Sequence, residues 1–282
     1  MPTFGAHAFI WVGDWTRETS GEAIAGAAGV GINLLEIPLL KPDAFDVELT
    51  KRQLAKHGMT AVCSLVLPPD AHLPREPETA LRFLRQALDR VAALGAPFLG
   101  GVLYGHLGTL TGAPPTAEER TTCARVLREV ASYAAERGIT LGLEPVNRYE
   151  TYLFNTIEDT LALIEEIGAS NVTVHADTYH MNIEDPGFQP SLVAARGRLG
   201  LIHCSESDRG VPGQGNVQWD DVFQGLQAIG YDGPLVLESF AAINPDLAGA
   251  TCMWRTPSYT SDQLAREGMT FLRERAAANG FS

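Results

Sequence analysis

The chain has 282 residues, 45% of them apolar, and a net charge of −13 with an isoelectric point near 4.9. That length suits one large core and is close to the roughly 250 residues of a single α/β barrel. The acidic balance repels phosphate backbones, so no nucleic-acid partner is expected, and no apolar run approaches the ~18 residues of a membrane span.

Short apolar runs alternate with longer helical patterns. Phe4 to Trp11 reads as a first strand, followed by a helix from about Thr19 to Gly29. Asn33 to Ile37 is a second strand, and Val47 to His57 carries a helical period. Thr60 to Leu67 is a third strand, stopped by Pro68-Pro69. From Glu76 to Leu94 the residues Ala80, Leu81, Leu84, Ala87, Leu88, Val91 and Leu94 recur at three and four, the spacing of one helical face. Pro97 to Leu103 is a fourth strand, and Ala117 to Arg137 a long helix stopped by Gly138. Ile139 to Glu144 is a fifth strand; the helix after it opens near Asn155-Thr156, with Glu158 in its first turn. Asn171 to Asp177 is a sixth strand, and Gln189 to Ala195 a short helix. Leu199 to Cys204 and Pro234 to Glu238 are strands seven and eight, with helices over Trp219 to Ile229 and Ser261 to Ala278.

Eight strand–helix units in succession predict an α/β fold with a parallel sheet closed into one (β/α)8 TIM barrel. An open doubly wound sheet would want a glycine-rich phosphate loop after the first strand, and no GxGxxG is there. No linker divides residues 1–282, so one catalytic domain is expected. Cys63, Cys123, Cys204 and Cys252 form no CxxC and read as reduced thiols. With no secretory signal visible, a cytoplasmic protein is expected.

Four strands end on residues that can bind a cation: Glu144, Asp177, His203 and Glu238. In a barrel all strand C-termini open on one face, so these four converge although 94 positions separate the first from the last. Taken singly, each reads as well as a structural residue: a glutamate bound to Arg148 or to backbone, a satisfied core histidine. Four in register at successive strands favour a metal centre. Three oxygen donors and one imidazole suit Mn²⁺, Mg²⁺ or Co²⁺ better than a structural Zn²⁺. Glu150, His180 and Arg209 follow strands five, six and seven as candidate ligand contacts. Glu36 is a candidate for a supporting position beside the metal. Glu206 and Asp208 read equally as surface charges. The segment 241–260 is long for a loop and is expected to cover the site or to pack against a second subunit.

The sequences GLEPVNRYET, HADTYHMNIED, the run from His203 to Arg209, PGQG with Trp219, and IGYDGPLVLESF together resemble the metal-dependent ketose 3-epimerases. These are the D-tagatose and D-psicose (D-allulose) 3-epimerases of the xylose isomerase-like barrels. The resemblance is closest over residues 139 to 240. It implies an isomerase that inverts C3 of free ketoses through an enediolate, with one divalent ion, Mn²⁺ first. It implies Glu144, Asp177, His203 and Glu238 as metal ligands, and Glu144 and Glu238 also as the acid/base pair. Glu150, His180 and Arg209 would then hold the O1–O3 end of the sugar. A homodimer or homotetramer is the expected assembly. The departures, at His7-Ala8-Phe9 and at Gly100 to Leu107, concern the pocket wall for O4–O6. Other readings are a hydroxypyruvate- or aldose-type isomerase on the same barrel, more remotely an abasic-site nuclease or a non-catalytic sugar-binding protein.

Overall fold

A computed structural model describes residues 2–281. Eight parallel strands close in sequence order: β1 (Phe4–His7), β2 (Leu34–Pro38), β3 (Thr60–Val66), β4 (Phe98–Val102), β5 (Thr140–Leu143), β6 (Val172–Asp177), β7 (Leu199–Cys204) and β8 (Leu235–Leu237). Closure is made by β1 against β8, with Gly5 opposite Val236. The expected (β/α)8 architecture is therefore the one observed.

The helices on the outside are α1 (Ser20–Gly29), α2 (Val47–His57), α3 (Pro77–Leu94), α4 (Ala117–Ala135), α5 (Ile157–Ile167), α6 (Thr178–Glu184), α7 (Phe188–Ala194), α8 (Trp219–Ile229), α9 (Pro245–Thr251) and α10 (Ser261–Ala278). Their starts follow from local chemistry. Asp46 accepts the Leu49 N–H at α2, and Thr156 accepts that of Asp159 at α5. Thr116 and Glu119 form a reciprocal capping box at α4. The face of α3 that packs inward is Ala80, Leu84, Ala87, Leu88, Val91 and Leu94, the set read from periodicity except Leu81, which lies partly buried at its edge. Among the described residues no helix is long and apolar enough to cross a membrane.

Alternation along the strands sorts the barrel interior into layers. Leu34, Val62, Phe98, Leu201 and Val236 form an apolar plug of buried side chains. One pleat further along, two residues after Leu34, Val62, Leu201 and Val236, lie Glu36, Ser64, His203 and Glu238, and Glu144 and Asp177 stand at the ends of β5 and β6 toward the same mouth. Glycine is required where the interior is crossed: a Cβ at Gly142 would collide with the Phe98 ring, and one at Gly100 with the His175 imidazole.

Three segments differ from the expectation, one of them the expected loop 241–260, in which Asn244 caps α9 by accepting the Leu247 N–H. The strand expected over Phe4–Trp11 stops at His7, because the His7 ring accepts the Phe9 N–H and opens a 3-10 turn over Ala8–Ile10. The residues after Asp177, expected as loop, form α6, capped by Asp177 through the Tyr179 N–H at 2.8 Å.

Candidate active site

The C-terminal ends of β5 to β8 bring Glu144, Asp177, His203 and Glu238 to one buried cluster; none is more than 8% exposed. Register does this directly, since Asp177 lies opposite His203, and His203 opposite Val236, two residues before Glu238. His203 Nδ1 is 3.4 Å from Glu144 Oε1 and 3.4 Å from Glu238 Oε2. Donor atoms of Glu144, Asp177 and His203 lie within 4.8 Å of one another. Glu238 is linked to them through His203 and through Arg209, whose Nη1 donates to Asp177 Oδ2 at 2.7 Å and to Glu238 Oε2 at 2.6 Å.

The other candidates surround this group. His180 Nδ1 accepts the Asn147 N–H at 3.1 Å, and the Asn147 amide donates to Glu150 at 2.8 Å. Arg209 Nη2 lies 3.2 Å from His180 Nε2, and its guanidinium stacks 3.9 Å over the Tyr179 ring. Arg209 has a left-handed backbone, φ 60°, unusual for a residue with a Cβ and common at functional sites. Arg148, the alternative partner for a strand-end glutamate, instead pairs with Glu184.

The charges are unbalanced. Four buried carboxylates, counting Glu36, face one guanidinium and the imidazoles of His7, His175, His180 and His203. Burial, with the charges of Asp177 and Glu144, pushes Glu238 up to about 8 against the pull of His203 and Arg209. Glu144 is moved the other way: burial raises it, but His175 and His203 together hold it below the usual carboxylate range. Asp177 is likewise held low, Arg209 and His180 outweighing burial.

These residues fit a divalent cation. Glu36 accepts from His203 Nε2 at 2.8 Å, and an ionised carboxylate can only accept, so the Nε2 atom carries the hydrogen. The buried Nδ1 atom has no hydrogen-bond partner, although two carboxylates face it. Against the effect of burial, Glu238, Glu36 and Glu144 hold the His203 imidazole well above its usual range, so the space between Nδ1 and the carboxylates calls for positive charge, a proton or a cation. Three carboxylates and one imidazole nitrogen form a donor set for Mn²⁺ or Mg²⁺. The barrel's other mouth offers nothing comparable: its cavity of about 520 Å³ is lined by residues such as Thr3, Lys51, Met59, Thr60 and Pro97, with no acid or imidazole among them.

Glu206 is a residue that sequence reasoning missed. It is fully buried and accepts four N–H groups: Ser207 and Gly213 at 2.8 Å, Val217 at 3.0 Å and the Trp219 indole at 2.9 Å. The signal was available in the glycine-rich run VPGQG, whose backbone N–H groups need an acceptor once the loop folds inward.

Comparison with known proteins shows the family. A family model described as xylose isomerase-like TIM barrel matches residues 23–275. The chain is 40% identical over 278 residues to an L-ribulose 3-epimerase of Methylomonas sp. (strain DH-1), covering 96% of this chain and 97% of the relative. It is 36% identical to a ketose 3-epimerase of Arthrobacter globiformis, over 97% and 96% of the two chains. The crystal structure of a Methylomonas sp. D-allulose 3-epimerase in complex with D-allulose superposes with a TM-score of 0.93, at 40% identity and 97% coverage of each chain.

Proposed function

This chain belongs to the xylose isomerase-like TIM-barrel family and, within it, to the ketose 3-epimerases, and from that premise we propose that it inverts C3 of free ketoses with a divalent ion held by Glu144, Asp177, His203 and Glu238. The observation that carries this reading is the meeting of two carboxylates from separate strands, Glu144 and Glu238, on the one imidazole nitrogen of His203. Two carboxylates are what inversion at carbon needs; a single base would return the proton to the face it came from.

When bound, the ion supplies Lewis acidity to the C2 carbonyl and C3 hydroxyl oxygens. The protein supplies the proton transfers. One carboxylate removes the C3 proton; the C–H electron pair becomes the C2–C3 double bond of an enediolate, and the carbonyl oxygen takes the charge. The other carboxylate delivers a proton to the opposite face of C3, and the carbonyl re-forms. The meeting of Glu144 and Glu238 from separate strands on His203 supports this division between two carboxyl groups. The roles exchange when the reaction runs backward. Glu150, His180 and Arg209 are assigned to the O1–O3 end of the sugar, where Asn147 fixes the first two. Mn²⁺ is the ion of choice. D-Allulose and L-ribulose, named for the relatives, are the first substrates to try. Residues 1–282 are taken as one catalytic domain of a cytoplasmic homodimer or homotetramer, with 241–260 at the interface or over the site. Trp254 in that segment, 75% exposed, supports such a contact.

The test is incubation of the Mn²⁺-loaded enzyme with ketohexoses and ketopentoses in heavy water, with product identity recorded. The C3 epimer is expected, carrying deuterium at C3. Glu238→Gln is expected to lose about 10²–10⁴-fold in kcat. Wild-type turnover by that variant, or an aldose as the product, would overturn the proposal.

A further inference from the structure

Glu36 lies beneath the proposed metal centre and is no part of the ligand set. It occupies the inner face of β2, two residues after the plug residue Leu34, and is 1% exposed. Its Oε2 atom takes the hydrogen bond from His203 Nε2 at 2.8 Å, while Oε1 faces His7 Nε2 at 3.9 Å. A buried carboxylate costs several kcal/mol unless it is paired, and this one is spent on a single imidazole nitrogen.

The consequence is a fixed tautomer. A neutral imidazole has one N–H and one lone pair, and whichever nitrogen is engaged as donor leaves the other as acceptor. Without Glu36 the carboxylates of Glu144 and Glu238, each 3.4 Å from Nδ1, would draw the hydrogen of His203 onto that atom and turn an N–H toward themselves. That hydrogen would occupy the direction in which a cation must be met. With Glu36 in place, Nδ1 is the lone-pair atom, and it is the atom that lies 3.4 Å from both carboxylates.

We infer that Glu36 is a positioning residue of the metal centre: by accepting from His203 Nε2 it makes Nδ1 the only nitrogen His203 can offer to the cation. The inference rests on the reading of His203 as a metal ligand, and it adds a residue that touches neither the ion nor the sugar. Partners of this kind typically affect metal affinity by about 10–100-fold when removed.

The experiment strips the protein with EDTA and titrates Mn²⁺, following free Mn²⁺ by electron paramagnetic resonance. Glu36→Leu is expected to weaken Mn²⁺ binding by about 10–100-fold. Glu36→Gln, whose amide oxygen can still accept, is expected to fall between Glu36→Leu and wild type. The melting temperature of each metal-free variant separates this role from a structural one, which would lower melting without changing the affinity of the folded protein. Imidazole ¹⁵N spectra of the Mg²⁺-loaded wild type, with His203 assigned by its loss in His203→Asn, are expected to show a protonated Nε2; this readout stands even if Glu36→Leu does not fold. A protonated Nδ1, an affinity of folded Glu36→Leu within threefold of wild type, or a Glu36→Gln no better than Glu36→Leu would overturn the inference. Wild-type protein that binds no Mn²⁺ would instead remove the metal centre itself, and the role of Glu36 with it.

Discussion

Asp185 shows how a single carboxyl can oppose the fold that contains it. Its Oδ1 accepts the Ile157 N–H at 3.3 Å, while Oδ2 is buried without a partner. Burial, with Glu184 and Asp159 adding like charge, pushes it up to about 6 from 3.8. A carboxyl raised in the folded state favours folding while it is protonated, below its unfolded value, and that contribution is lost as pH rises through about 6. Asp185→Asn keeps the shape and an acceptor for Ile157 but has no charge to bury. It is expected to raise the free energy of urea unfolding by about 1–3 kcal/mol at pH 8, the gain vanishing toward pH 4. Equal stability of the two proteins at pH 8 would contradict this account. Residue-scale chemistry was legible in the sequence where a side chain closed an apolar strand, as at Glu144, Asp177 and Glu238. At Glu36 the sequence pointed to a supporting position but not to its partner, since nothing near it in the chain announces His203, 167 positions away.

At the scale of elements, the loop between β7 and α8 has the largest effect on the site. It carries Arg209 to Asp177 and Glu238, and it is gathered by Glu206 around one carboxylate. Gly215 is needed there because a Cβ would run into the Glu206 carboxylate and the Ser207 hydroxyl. Glu206→Gln replaces one acceptor oxygen by an NH₂ that faces N–H donors. The expected cost is about 1–3 kcal/mol of stability, with a rise in ketose KM as Arg209 loses its support and an unchanged Mn²⁺ affinity. A variant with wild-type stability and KM would show that the loop holds itself without Glu206. The sequence reading left Glu206 open between a surface charge and a contact because a lone acid in a polar glycine-rich stretch has no periodicity to place it. Within 241–260 the reading as an unbroken loop gave way for another reason: Asn244 followed by Pro245 is a helix start, with Asn244 accepting the Leu247 N–H at 2.8 Å, and loop length was weighed over that capping signal.

For the molecule as a whole, the eightfold alternation of strands and helices was enough to read the barrel, because each unit repeats the same apolar periods. The interior layers were harder to see, since an inner-face glutamate such as Glu36 and the plug residue Leu34 share one short strand that reads simply as apolar. Closure ties that local order to global stability. The four proposed ligands come from consecutive strands spread over 94 positions, so the site exists only while β5 to β8 are all in place. A cation bound there binds the folded state and not the unfolded one. At free Mn²⁺ a hundredfold above its dissociation constant, the stabilisation is about 2.7 kcal/mol. For a chain of this size that corresponds to an upward shift of about 5 °C in the melting temperature. The shift should be reversed by EDTA and absent in His203→Asn, in which the central nitrogen is gone. A melting temperature indifferent to Mn²⁺ in wild type, or a shift that survives in His203→Asn, would place the ion elsewhere and separate the barrel's stability from its chemistry.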